Sequence, residues 1–598
     1  MCGIAGIFDN RGIINCNSAL DRALEMMRFR GPDDRGTHRE KRWAIGMQRL
    51  SIVDKEKGKQ PQRNDTGDIL IVHNGEIYNH EKLKVELQQN GHRFKTSSDT
   101  EVIVHGYEQW GIEGVLNRIE GMYAFAIIDK KKELLHLARD RFGEKPLYFH
   151  TKQEQFAFSS DLKALVNALD LNTELDALSL RRYLALHYIP GNRSIIEGIY
   201  RVLPSERVEV DLSNLSYNRQ IYYELSACLD NTFDPSRLEE LLENAVDSRM
   251  MGEAPVGVFL SGGLDSSIVT ALASKRAPKL ETFSIGFDSK EHDESEHAEE
   301  LAKAMGVSHR LVTFTEKDFR ELLPIVAKQL DEPLGDPAAL PTSRLCKAAK
   351  NHVKVILSGE GADELFGGYE YYRAFGKNRN WFRRLLGVKT TSQSSRLLDP
   401  QTHTTPSGFP LVCGKAEWES LATLFPAEGS DAWEQDYLAT VNALEEPLSR
   451  ATMGDLLTWL PDNLLVKLDR MAMYHSLEGR SPFLMQSLVE YAISLPAKYK
   501  IRGKTVKWAL RTVANRHLPN RTSQRKKQGF VLPMANWLQR YVESHGGVYE
   551  FVRQRNCESL DEERLIEFLS PRLKEPIGNE RIIYSLVHLI EWLHHLKN

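Results

Sequence analysis

At 598 residues the chain exceeds the roughly 250–300 at which a single hydrophobic core stops growing, so more than one domain is expected. Apolar residues make up 41% and charged residues 27%, and 78 basic against 82 acidic side chains leave a net charge of −4, without the basic excess of a nucleic-acid or membrane-surface protein. The six cysteines (Cys2, Cys16, Cys228, Cys346, Cys413 and Cys557) are too sparse for a disulfide scaffold and form no CxxC-type metal pair.

The chain opens on an apolar run that Asp9 cuts short, with no basic segment ahead of it, which argues against a signal peptide. No window nears the roughly 18 apolar residues of a membrane helix. A cytoplasmic protein with reduced thiols is expected. Strand patterns are read at 43–47, 69–73, 123–128 and 134–138, and helical periodicity at 18–27 and 83–89. Several strands with few helices imply a layered α+β domain over 1–210. Turn and polar residues mark 211–235 as a linker. Beyond it the pattern alternates: a helix from Pro235, a buried strand at 256–260, a glycine turn, a helix at 266–275, and strands at 283–287 and 353–357. That alternation predicts a doubly wound parallel sheet in a helix-rich domain over 236–598. A variable insertion is expected near 380–430, with its Ser/Thr/Pro-rich part at 390–409.

Cys2 follows the initiator Met1 directly. Removal of Met1 would give Cys2 a free α-amine with a reference pKa of roughly 7.7–8, a base suited to its own thiol. The following Gly3-Ile4-Ala5-Gly6-Ile7-Phe8 suits a buried strand whose glycines admit substrate closely. Downstream lie Arg30-Gly31-Pro32-Asp33, Arg49-Leu50-Ser51-Ile52-Val53, His73-Asn74-Gly75-Glu76 and Ser98-Asp99-Thr100-Glu101. Taken singly, Arg49 or Asp99 reads as half of a surface ion pair. Taken in this order, the set resembles the glutaminase domain of class II glutamine amidotransferases. The resemblance implies an αββα N-terminal-nucleophile hydrolase. In it Cys2 attacks the glutamine amide, and the Asn74 side chain with the Gly75 N–H forms the oxyanion hole. Arg49 clamps the α-carboxylate, Glu76 and Asp99 receive the α-ammonium, and Leu50, Ile52 and Val53 complete the glutamine pocket.

The second domain carries Leu260-Ser261-Gly262-Gly263-Leu264-Asp265-Ser266-Ser267 between a strand and a helix. Backbone N–H groups and the helix dipole make such a turn an anion site. Without the Gly-Lys-Ser/Thr ending of a kinase-type loop, it suits a pyrophosphate leaving group. Ser358-Gly359-Glu360-Gly361-Ala362-Asp363 follows a second strand, Gly503-Lys504-Thr505-Val506-Lys507 precedes a helix, and Arg525-Lys526-Lys527-Gln528-Gly529-Phe530 is a basic run. Asp265 and Asp363 are oxygen donors of the kind Mg2+ takes. These motifs, with 139–148 and 468–473, resemble the ATP-pyrophosphatase domain of asparagine synthetases. The resemblance implies that Leu260, Ile285, Ser358 and Gly359 line the ATP pocket and that Glu360 assists attack by ammonia. It further implies that Lys507 stabilises the adenylation transition state.

The implied enzyme hydrolyses glutamine at one site and uses ATP to adenylate a carboxylate at another. Aspartate is the first candidate for that carboxylate. A cell-wall, polysaccharide or other small-molecule precursor remains open, because the acceptor region at 331–340 is shared among such enzymes. The chain has Met485 after Pro482-Phe483-Leu484, where the family commonly reads Asp, and it lacks Pro-Pro-Gly near Leu203-Pro204-Ser205-Glu206. Ammonium in water has no lone pair, so a dry, apolar passage between the domains is expected. The partners expected are small molecules, not nucleic acid or membrane. A homodimer fits the resemblance.

Overall fold

The computed structural model describes residues 2–226, 232–288, 295–375, 431–519, 533–555, 557 and 559–597. Met1, the whole insertion expected near 380–430 (390–409 included) and the basic run at 525–530 lie outside the described residues.

The strands in chain order are β1 (Cys2–Asp9), β2 (Asp34–Arg39), β3 (Trp43–Arg49), β4 (Gln62–Arg63), β5 (Ile69–Ile77), β6 (Gly121–Asp129), β7 (Leu134–Arg139), β8 (Tyr148–Thr151), β9 (Gln155–Ser159), β10 (Ile199–Arg201), β11 (Glu206–Asp211) and β12 (Tyr217–Ile221). They form two antiparallel six-stranded sheets, ordered β10-β8-β9-β1-β3-β2 and β12-β11-β7-β6-β5-β4. Side chains alternate across each strand. Ile4, Phe8, Ile45 and Met47 of the first sheet therefore meet Leu70, Val72, Ala124 and Ala126 of the second in one core. Ala5 and Ile7 face outward onto the helices Cys16–Met26 and Leu162–Leu169. Ile71, Phe125 and Ile127 face the helices His80–Gln89 and Asp99–Arg118. The result is the four-layer αββα sandwich.

Three features depart from the sequence reading. Tyr217–Ile221, inside the expected linker, is an edge strand paired with β11. The polar β2 carries no alternation of apolar residues and is held by its register with β3 and by the bonds of Arg35 and Arg39 to Asp21. The glycines of β1 also make room for neighbouring side chains, which the sequence reading leaves out: a Cβ on Gly6 would stand 2.3 Å from the Phe158 ring, and one on Gly3 2.9 Å from Met27 Cβ.

The second half adds β13 (Val256–Phe259), β14 (Glu281–Phe287), β15 (Ser308–Phe314), β16 (Val355–Leu357) and β17 (Glu478–Arg480), all parallel, in the order β15-β14-β13-β16-β17. Helices cover both faces, as buried parallel sheets require. One apolar cluster runs from the outer helices of the first domain into the C-terminal helix Glu580–Lys597. Tyr183 Oη donates to the Ser585 carbonyl at 2.7 Å, and Gly191 N–H to Asp462 at 3.1 Å. Among the described residues no helix is long and apolar enough to cross a membrane.

Candidate active sites

Cys2 begins β1 and stands in register with Arg49 at the end of β3. The opposite sheet supplies Asn74 and Gly75 from β5, and Asp99 opens a helix whose N-cap is Ser98. The sandwich thus closes its two sheets around the first residue of the nucleophile strand. The Cys2 backbone nitrogen donates to Asn74 Oδ1 at 2.9 Å. That bond fixes the amide orientation and leaves Asn74 Nδ2 buried with no protein partner. A buried orphan donor beside a thiol is what a developing oxyanion requires. Gly75 adopts φ 154°, and a Cβ there would lie 2.0 Å from the Met122 carbonyl oxygen, so only glycine fits. Burial pushes the Cys2 thiol up, opposed by the Leu50 N–H and the Arg49 guanidinium.

Arg49 is committed locally. Its Nη2 donates to the Val53 and Asp54 carbonyls at 2.9 and 2.8 Å, and Nη1 to Lys55 at 3.3 Å. It therefore shapes the loop after β3 with three of its five hydrogens. Leu50 and Ile52 are buried in that loop, and with the half-buried Val53 they pack on Ala254, Val256 and Val355 of the second domain. Asp99 Oδ2 accepts from the Ile77 N–H at 2.8 Å, so it braces β5. Glu76 stands 3.7 Å from Arg480, and burial followed by the Asp99 charge pushes its carboxyl well up.

The second constellation lies at the carboxyl ends of the parallel strands, where open α/β sheets place ligands. Leu260 follows β13, Ile285 lies in β14, and Ser358 and Gly359 follow β16, so three adjacent strands deliver these residues to one edge. Ser261, Gly262 (φ 72°) and Gly263 turn into the helix Leu264–Arg276, whose N-cap Gly263 adds no side-chain cap. Ser266 Oγ takes the Ser261 N–H at 3.1 Å and Ser267 Oγ donates to the Gly263 carbonyl at 2.6 Å, bonds that hold the turn shut. Asp265 and Asp363 converge: Lys507 Nζ is 2.5 Å from Asp265 Oδ2 and 2.7 Å from Asp363 Oδ1. Burial opposes the charge on Lys507, but the two carboxylates outweigh it and raise the ammonium. Two carboxylates meeting at one point are the donor chemistry that a divalent cation takes. Glu360 is half-buried, and its backbone N–H reaches Ser358 Oγ at 3.4 Å.

Sequence reasoning left several residues at these sites without a role. Arg30 is fully buried, donates Nε to the Cys2 carbonyl at 3.2 Å, and pairs bidentately with Asp469 of the second domain at 2.9 and 3.2 Å. Lys467 reaches Asp336 at 2.8 Å. Arg480 bonds Glu478 at 2.6 Å, while its carbonyl accepts from the Ser358 N–H at 3.0 Å. So β17 points one side chain at the first site and one main-chain oxygen at the second. Nothing in a three-residue strand signals that from sequence. The motif at 139–148 is a turn built on Asp140, which accepts the N–H groups of Phe142, Glu144 and Lys145. In the acceptor region, Asp331 pairs with Arg470 and Glu332 with Arg201, so both brace the domain junction. A cavity of about 20 Å3 at this junction is lined by Arg139, Glu144, Arg201, Asp462, Asp469 and Arg470 together with Pro146, Leu147, Tyr148, Leu465 and Val466. Besides the large shared cluster, apolar contacts across the domains include Met122 against Met473 and the Leu50–Ile52 loop against Val355. Met485 is buried in an apolar cluster with Leu488 and Val489.

Residues 1–223 match the family model described as a glutamine amidotransferase domain, and residues 237–594 that described as asparagine synthase. The chain belongs to the asparagine synthase family. Two relatives are alike over nearly their whole length. The glutamine-hydrolyzing asparagine synthetase 1 of Bacillus subtilis is 29% identical over 615 aligned positions, covering 99% of this chain and 96% of the relative. A putative glutamine-hydrolyzing asparagine synthetase of Mycobacterium tuberculosis is 36% identical over 554, covering 87% and 85%. This member of the asparagine synthase family is an ATP-dependent, glutamine-hydrolysing ligase with its amidotransferase domain first.

Proposed function

We propose that this enzyme makes asparagine from aspartate, glutamine and ATP. The observation that carries the glutaminase half is the Cys2–Asn74 bond, with the unpaired Asn74 Nδ2 beside it. After removal of Met1, the Cys2 amine takes the thiol proton and sulfur attacks the glutamine side-chain carbonyl. Negative charge collects on the carbonyl oxygen, where Asn74 Nδ2 and the Gly75 N–H donate to it. The amine returns its proton to the departing nitrogen, and water hydrolyses the thioester to glutamate. Arg49 keeps its remaining donors for the α-carboxylate, while Glu76 and Asp99 face the α-ammonium.

In the second domain ATP lies across the Leu260–Ser267 turn, Ile285, Ser358 and Gly359. The acceptor carboxylate attacks the α-phosphate, pyrophosphate leaves, and ammonia displaces AMP to form the amide. Lys507 neutralises charge at the α-phosphate and Glu360 takes a proton from the attacking nitrogen. Asp265 and Asp363 are the residues that would hold Mg2+, which neutralises the triphosphate. Aspartate is favoured as acceptor because the relatives carrying asparagine synthetase names cover most of this chain.

Two experiments test this. Cys2→Ala should abolish glutamine-dependent synthesis and spare synthesis from ammonium salts. Persistence of glutamine-dependent synthesis would overturn the nucleophile. Pyrophosphate release should be stimulated by aspartate above a panel of other carboxylates. Stimulation by another carboxylate alone would assign the enzyme a different product.

A further inference from the structure

We propose that His92, His105 and Glu108 form a site for a borderline divalent transition cation such as Zn2+, apart from both catalytic centres. His92 lies just past the helix His80–Gln89, while His105 and Glu108 share one face of the helix Asp99–Arg118 at a spacing of three. His105 Nδ1 is 3.0 Å and His92 Nδ1 3.8 Å from the same oxygen, Glu108 Oε2. One ligand atom from each of the three residues lies within 4.8 Å of the others. Bonds of about 2.0–2.1 Å at tetrahedral angles separate ligand atoms by roughly 3.3 Å, so these spacings straddle the requirement.

The atoms behind the ligands are held as well. His92 Nε2 meets Gln109 Oε1 at 3.1 Å, His105 Nε2 faces Glu101 Oε1 at 3.6 Å, and the second Glu108 oxygen accepts from Asn64 Nδ2 at 2.9 Å. Outer acceptors of this kind keep the proton on Nε2 and turn the Nδ1 lone pairs inward. An imidazolium shared by Glu101 and Glu108 would account for His105 alone. It does not account for a second imidazole with its centroid 5.0 Å from the first, facing the same carboxylate oxygen. His105 is buried, whereas the Glu108 side chain is 26% exposed, so an ion can enter and a fourth position stays open to water.

Glu101 also accepts the Lys95 and Thr96 N–H groups, each at 2.8 Å. A cation here would therefore clamp the 92–98 segment onto the helix that begins with Asp99. The site stands independently of the reaction assigned above.

The test is titration of the chelator-stripped full-length enzyme with Zn2+, read by competition with a chromophoric chelator, and with Co2+, read by its visible spectrum. The wild type should bind one Zn2+ more than His92→Ala or His105→Gln. Gln109→Ala should keep the site with affinity reduced about 10–100-fold. Zn2+ should raise the melting temperature of the wild type more than that of His92→Ala, each compared with its own chelator-stripped form. Equal Zn2+ stoichiometry and affinity in wild type, His92→Ala and Gln109→Ala would overturn the proposal.

Discussion

Asp469→Ala is the most informative single change, because it reaches the glutaminase site from the other domain. The Arg30 side chain is 0% and that of Asp469 3% exposed, and the pair makes two hydrogen bonds. Two more cations lie close: Lys145 is 3.8 Å from Asp469, and Arg470, itself paired with Asp161 and Asp331, is near enough for the Arg30 charge to disfavour its own. Alanine would leave Arg30 and Lys145 without that carboxylate in a dry junction. Removing one partner of a buried pair costs about 3–5 kcal/mol, and the remaining bond from Arg30 to the Cys2 carbonyl recovers little of it. Urea unfolding should show a loss in that range. Glutaminase turnover should fall as well, since Arg30 no longer fixes the nucleophile strand. Arg30→Met combined with Asp469→Leu replaces both charges by apolar bulk and should return most of the stability but not the turnover. A single variant within about 0.5 kcal/mol of wild type, with normal glutaminase activity, would refute the argument, because that is the effect of an ordinary surface substitution.

Three further outcomes are expected. Asn74→Ala should lower the glutaminase kcat about 10²–10³-fold, the usual cost of one oxyanion donor, while ammonium-dependent synthesis continues. Gly75→Ala should destabilise the enzyme by about 1–3 kcal/mol in denaturant titrations, because the new methyl group meets the Met122 carbonyl oxygen. Burial raises the Asp462 carboxyl to about 6 despite nearby Arg201, so the folded state holds a proton that the unfolded chain releases near pH 4. Stability contributed by that proton is present below about pH 4 and lost as pH rises to about 6. Asp462→Asn should therefore gain on wild type by about 3 kcal/mol between those limits in urea midpoints, and parallel pH profiles would refute the assignment.

How much was legible in advance follows from the kind of signal each element carries. The strand at 69–77 and the strand–turn–helix at 256–276 announce themselves through local periodicity and glycine placement. The helix Asp99–Arg118 was invisible to that reading, because nine consecutive residues from Asp99 to Tyr107 are buried and leave no polar stripe. Motif order named Cys2, Asn74, Asp265 and Lys507, since each lies in a short run whose chemistry is local.

The sequence by itself determined the family, the order of its two domains and the class of ligase reaction. Only the tertiary structure decided how the two halves meet. Arg30 with Asp469, Arg480 with Glu76, and the charged side chains buried at the junction all join residues more than 400 positions apart or bury charges that composition counts as surface. Local pattern records what a segment does to water. It carries no record of which distant charge will neutralise another once both are dry, and that pairing is what ties the two catalytic centres together.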